Sequence, residues 1–189
     1  MKSHPPSAAI KDLIAVLAQT EALEPVIATA GEQLVATLRA GGKILSCGNG
    51  GSATTALHLA EELLGRYRSN RRSLPAVCLN ADPATLTCIA NDFGFEHVFS
   101  RQVEALAASG DILVGFTTSG NSANVLAAFK AARNRGAQTV LVGGADGGRA
   151  RGHCDFEVIV PSPHTARVQE VHTLILHCWL EQIEAAFAG

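Results

Sequence analysis

The sequence has no C-x-x-C pair, no apolar run approaching 18 residues and no large excess of either charge. Its five cysteines, at positions 47, 78, 88, 154 and 178, are odd in number and unpaired in spacing, which argues against a disulfide framework or a zinc finger. Most sit in apolar runs and are expected to be reduced core residues of a cytoplasmic protein. Fifteen Lys and Arg against 17 Asp and Glu leave a formal net charge of −2, so the chain lacks the electrostatic footprint of a nucleic-acid binder. The opening stretch MKSHPPSAA has no apolar segment of the kind a secretion signal needs, and neither export nor membrane spanning is expected. No repeat, low-complexity tract or long linker interrupts the chain. The dinucleotide fingerprint G-x-G-x-x-G and the NTP loop G-x-x-x-x-G-K-[ST] are also missing.

What is present fits one domain. With 189 residues, 47% of them apolar and 17% charged, the chain can bury a sizeable core. Apolar runs of strand length occur at Ile44 to Cys47, Pro75 to Leu79, Ile112 to Phe116, Thr139 to Val142 and Phe156 to Val160. Helical patterns separate them, including one over residues 124–135 that Gly136 closes. Such alternation predicts an α/β fold, a doubly wound five-stranded parallel sheet flanked by helices. Two further helices precede the first strand, one with Ile10, Leu13, Ile14 and Leu17 at helical spacing and one opened by Pro25. They exceed what one small sheet needs for cover, and pack either on this domain or on a partner subunit.

In sheets of this kind ligands bind at the carboxyl ends of the strands, so the strand ends are where chemistry is sought. After the first strand come Gly48, Asn49, Gly50, Gly51 and Ser52, a turn that admits a ligand close to the backbone and opens a helix whose amides suit an anion. That helix, residues 53–66, sets His58 and Glu62 four apart on one face, about 6 Å between their Cβ atoms, which is metal-ligand spacing and also the spacing of an ordinary surface pair. The third strand runs into Thr117, Thr118, Ser119, Gly120, Asn121 and Ser122, hydroxyls able to hold a phosphate or to cap a helix. Asn91 and Asp92 close a further helix, as an exit turn or a sugar contact. The last helix, Thr165–Phe187, carries Gln169, His172 and His177 beside its apolar face. The one basic cluster, Arg66, Arg68, Arg71 and Arg72, reads either as a solvated loop or as a patch for a phosphorylated ligand.

Taken together, NGGS, HLAEEL with GRYR, NDFGF, TSGNSANV and VQEVHTLILH, in that order, resemble the phosphoheptose isomerases of the sugar-isomerase (SIS) superfamily, from about Ala30 to the end. The resemblance implies a single SIS domain over 1–189, with residues 1–40 serving packing and oligomerisation. It implies conversion of sedoheptulose 7-phosphate to D-glycero-D-manno-heptose 7-phosphate in a cytoplasmic homotetramer with active sites at subunit interfaces. One zinc per site would be held by His58, Glu62, Gln169 and His177, with Glu62 and His177 as the acid/base pair. Substrate contacts would come from Asn49, Gly50, Gly51, Glu62, Asn91, Asp92, Thr117, Thr118, Ser119, Ser122 and Gln169.

Three positions depart from the family pattern. Thr117 stands where Ser is common and keeps the hydroxyl, whereas Thr55 and Ala166 stand where Asp is expected. The segment PSPHTARVQE is also similar to a second SIS group, replication-initiator-binding proteins that act without catalysis, so a binding protein or sugar-phosphate sensor is the alternative. The presence of His58, Glu62 and His177 favours the enzyme. On one regular helix Gln169 and His177 differ by about 12 Å in rise, whereas ligand atoms around one zinc lie about 3 to 4 Å apart. The two are therefore expected to reach a metal from different subunits unless the helix is irregular.

Overall fold

The computed structural model describes residues 5–188; the first four residues of the tail and Gly189 lie outside it. Strands β1 (Ile44–Gly48), β2 (Ala76–Cys78), β3 (Ile112–Thr117), β4 (Gln138–Gly144) and β5 (Phe156–Val160) form one parallel sheet in the order β2-β1-β3-β4-β5. Helices α1 (Pro6–Thr20), α2 (Glu24–Arg39), α3 (Gly51–Leu64), α4 (Pro83–Phe93), α5 (Ser100–Leu106), α6 (Ala123–Asn134) and α7 (Thr165–Phe187) cover it. The doubly wound fold expected from the strand and helix alternation is the one observed.

Strand periodicity sorts the core into two layers. Ile44, Ile112, Val114 and Phe116 face Leu34 and Leu38 of α2, Leu59 and Leu63 of α3 and Trp179 of α7. Leu45, Leu113 and Leu141 face the opposite layer, with Phe99 just before α5, Val103 of α5 and Phe129 of α6. With both sides covered, β1 and β3 are buried along their whole length, which explains their unbroken apolar runs. Because α3 leaves β1 on one side and α6 leaves β3 on the other, a crevice opens between the carboxyl ends of these adjacent strands.

Helix α3 begins at Gly51, two residues before the expected start, and stops at Leu64, where the amide of Gly65 caps the Glu61 carbonyl at 2.8 Å. Glycine's tolerance at Gly50, with φ of 56°, lets the chain turn directly from strand into helix. By length and mean hydropathy the stretch Pro6–Arg39 is apolar enough to cross a bilayer, and 17% of its most apolar window is buried here. A 3-10 turn at Glu21–Leu23 interrupts it, and its inner side docks on the domain, with the Trp179 indole donating to the Ile27 carbonyl at 2.8 Å. A groove of about 630 Å³ lined by Ile14, Leu17, Ile27 and Leu174 remains open between α1, α2 and α7.

His172 is fully buried on α7, with Nε2 2.9 Å from the Gly143 carbonyl. Burial pushes its pKa down from 6.5 to about 4, against a smaller upward pull from that carbonyl. The unfolded chain therefore takes up this proton near pH 6.5 and the folded chain only near pH 4. Stability is full above pH 6.5 and falls toward pH 4, by up to about 3 kcal/mol from this group. Urea midpoints measured across that window for the wild type and His172→Gln should converge as the pH falls; parallel curves would refute the assignment.

Candidate active site

The crevice holds a cavity of about 290 Å³ lined by Asn49, Gly50, Gly51, Thr117, Thr118, Ser122 and Gln169, seven of the expected residues, together with Ser52, Phe116 and Thr165. Ser122 occupies the position before α6 without capping it; its hydroxyl instead meets that of Thr117 at 3.2 Å. Asn49 exchanges two amide hydrogen bonds with Asn124, at 2.8 and 2.9 Å, tying the glycine turn to α6. Asn80 grips the end of β1, accepting from the Gly48 amide and donating to its carbonyl. Two rigid loops thus aim hydroxyls and helix-opening amides into one small polar space, an arrangement suited to a phosphate. Gln169 lies directly over Gly51, where an added Cβ would fall 2.5 Å from its Nε2 and push the side chain aside.

A second cluster lies farther along the same pair of helices. His58 Nε2 is 3.4 Å from Glu62 Oε1, and the His58 and His177 rings meet edge to face at 5.2 Å between centroids. Tyr67 stacks on the other side of His177 at 5.8 Å. One ligand atom from each of His58, Glu61 and Glu62 can be chosen so that all lie within 4.8 Å of one another. The His58 imidazole and the Glu61 and Glu62 carboxylates, partly open to solvent, are donors of the kind zinc takes, and the His177 ring lies beside them. Gln169 is not part of this cluster. Helix α7 runs without a break from Thr165 to Phe187, so Gln169 stays beside Gly51 while His177 meets His58 two turns on, about 12 Å along the axis.

Helices α3 and α7 run in the same direction, and a third contact joins their far ends. The Arg71 guanidinium, 1% exposed, donates to the carbonyls of Glu62 and Leu63 at 2.7 and 3.1 Å and lies 3.5 Å from Glu184 of α7. Burial opposes ionisation of Glu184, but the Ser69 hydroxyl and amide and the Arg71 charge outweigh it and hold the carboxyl below its usual value. Arg68 meanwhile pairs with Glu181 and lies over Tyr67, and Arg72 lies over Phe187. Three members of the basic cluster are therefore committed to side chains and helix ends, and Arg71 in particular is neither solvated nor free for phosphate. Arg71→Met should cost about 3 kcal/mol in urea unfolding, because it strands Glu184 and uncaps α3. A loss below 1 kcal/mol would show that the clamp carries no weight.

Asn91 and Asp92 lie exposed at the end of α4, where the Asn91 amide donates to Asp92, and they do not line the cavity. Ser119 is also exposed and accepts from the Asn121 amide. Thr55 is buried with its hydroxyl 3.3 Å from the Gly51 carbonyl, a local helix bond that an Asp would not make in the same way. Ser52 is expected only as part of the turn, and Thr165 and Tyr67 are not expected at the site. The first two open helices at strand ends, a signal that was available; Tyr67 is placed only by tertiary packing.

An α/β domain with a polar pocket at the junction of β1 and β3, beside an imidazole and carboxylate cluster, is the frame of a sugar-phosphate protein. Residues 8–144 match the family model described as the SIS domain, and the chain belongs to that family. Within it, the chain falls among the phosphoheptose isomerases, a family of enzymes. It is 49% identical over 178 residues to the phosphoheptose isomerase of Aliarcobacter butzleri, covering 90% of this chain and 93% of that one. Among solved structures, the phosphoheptose isomerase from Francisella tularensis superposes with a TM-score of 0.92 at 38% identity, over 95% of this chain and 96% of the other. The corresponding protein from Neisseria gonorrhoeae gives 0.89 at 42% identity over the same shares.

Proposed function

We propose that the chain is a cytoplasmic aldose-ketose isomerase that converts D-sedoheptulose 7-phosphate to D-glycero-D-manno-heptose 7-phosphate, the first step toward activated heptose for bacterial surface glycans such as lipopolysaccharide. The observation that carries this reading is the pairing of a hydroxyl-lined anion pocket with the Glu62 and His177 cluster on one pair of parallel helices. Thr117, Thr118, Ser122 and the amides of the glycine turn hold the 7-phosphate. Glu62 and His177 share the proton work: one proton leaves C1 and one is delivered to C2, while a second passes from the C1 oxygen to the C2 oxygen. His58, Glu62 and His177 with Gln169 would hold a zinc ion, which would supply Lewis-acid polarisation and offset negative charge developing on the substrate. Tyr67 keeps the His177 ring oriented.

The uninterrupted α7 supports an assembly in which Gln169 approaches the metal from a neighbouring subunit. The open apolar groove between α1, α2 and α7 supports the same assembly, a homotetramer with shared sites. Asn91 and Asp92, exposed in one chain, would then contact substrate across the interface.

Purified protein stripped with a chelator should lose turnover of sedoheptulose 7-phosphate and regain it with zinc. Persistent activity without metal would remove zinc from the reaction, and a zinc-loaded, folded protein with no turnover would overturn the substrate. Mixing inactive Gln169→Ala and His177→Ala chains after dissociation should restore part of the activity if sites are shared. No recovery in a reassembled mixture would place each site within one chain.

A further inference from the structure

Away from the crevice, a cavity of about 420 Å³ is lined by Leu126, Phe129, Lys130 and Arg133 of α6 and by Arg149 and His153 from the connection between β4 and β5. Three cations and an imidazole face it, and among the described residues no carboxylate lines it, in a chain whose net charge is −2. The acids nearby are engaged with backbone and hydroxyl groups. Asp146 accepts the Gly148 amide, Asp155 accepts the Thr139 amide and hydroxyl, and Glu157 of β5 accepts the amides of Gly152, His153 and Cys154. Arg133 donates to the His153 carbonyl, which joins the two walls. Among the described residues, neither Lys130 nor Arg149 has an ion-pair partner. Such uncompensated positive charge over the apolar floor of Leu126 and Phe129 suits a multiply charged phosphate attached to a flat apolar group.

The same connection is locked to the loop read above as the phosphate cradle. The Arg149 amide donates to Asn121 Oδ1 at 3.0 Å, Asn121 donates to the Ser119 carbonyl at 2.9 Å, and the Ala150 amide donates to the Gly120 carbonyl at 3.0 Å. Gly120, Ala145, Gly147 and Gly148 all have positive φ where these segments meet, and an added Cβ at Gly120 or Gly148 would strike backbone of the other segment, so the two pack without a gap. A ligand that draws Arg149 and His153 inward must therefore shift the 117–122 loop.

We infer that this cavity is an effector site for a nucleoside di- or triphosphate, and that its occupancy changes the affinity of the phosphate cradle for the sugar phosphate. The coupling half of the inference rests on the proposed role of Thr117 to Ser122; the binding half does not. The test is calorimetric titration of the zinc-loaded wild type, and of a Lys130→Glu, Arg149→Glu double variant, with ADP and with pyrophosphate, alongside initial-rate kinetics. Neither side chain belongs to the active site, so the variant's basal kcat and KM should match the wild type. ADP is expected to bind the wild type, more tightly at low salt, and at least about 10-fold more weakly to the variant. It should shift KM for the sugar phosphate by at least about 5-fold in the wild type and leave the variant unmoved. ADP binding that survives in the variant, or competitive inhibition equal in both proteins, would place the nucleotide in the substrate cavity and overturn the proposal. So would the absence of heat and of any kinetic effect. Calorimetry reads the cavity whether or not the protein turns over heptulose, so the nucleotide-free assay reveals separately a failure of the isomerase reading.

Discussion

His177→Ala is expected to lower turnover of sedoheptulose 7-phosphate by at least about 100-fold, the usual contribution of a positioned acid or base, with little change in thermal stability. The ring sits between His58 and Tyr67 at the edge of the fold, and no hydrogen bond of the core depends on it. Glu62→Gln should have a similar effect on kcat, because it keeps the shape of the side chain and removes the proton acceptor. Measured together, the two losses should fall well short of additive, since each residue acts on the same proton transfer. A His177→Ala protein with near wild-type kcat would remove the residue from the reaction. A protein that has lost both kcat and cooperative unfolding would show instead that the ring is structural.

Gly120→Ala should be still more damaging, though by another route. A Cβ at this position would fall well inside contact distance of the Gly147 carbonyl oxygen, and the φ of 65° disfavours any side chain. The obstacle is backbone, which cannot swing aside as a long side chain can. A loss of roughly 4 kcal/mol or more is expected, among the large effects for a single substitution. Any folded fraction should bind phosphate poorly, because the strain falls on the loop that carries Thr117 to Ser122. Gly41→Ala is the control: φ there is 85°, but no atom lies within 4 Å of the added carbon. Equal losses at the two positions would mean that conformation alone, and not the contact with Gly147, sets the cost.

The sheet was legible in the sequence because burial on both sides leaves unbroken apolar runs, and Ile44 and Ile112 announce their strands without tertiary information. Helix α7 was legible to its ends because 23 residues keep one periodicity. The polar pocket between β1 and β3 could be foreseen from two strand ends, each rich in small polar residues, that the topology brings side by side. Two features could not. Arg71 reads as one more charge in a basic loop, and only the fold reveals that its guanidinium is enclosed by carbonyls of α3 and by Glu184. Asn91 and Asp92 match a family motif, yet a motif fixes identity and not location, and in one chain they end up exposed on α4, outside the cavity.

The parallel run of α3 and α7 limits how such a site can change. Contacts at Gly51 with Gln169, at His58 with His177 and at Leu63 with Arg71 and Glu184 hold the two helices in one register over three levels. Inserting a single residue between 169 and 177 would turn His177 away by about 100°, and slipping by a whole turn would break the other two levels at once. A change of length within either helix would therefore separate side chains that the site needs together, and the spacing of residues 169 and 177 is set by that shared register.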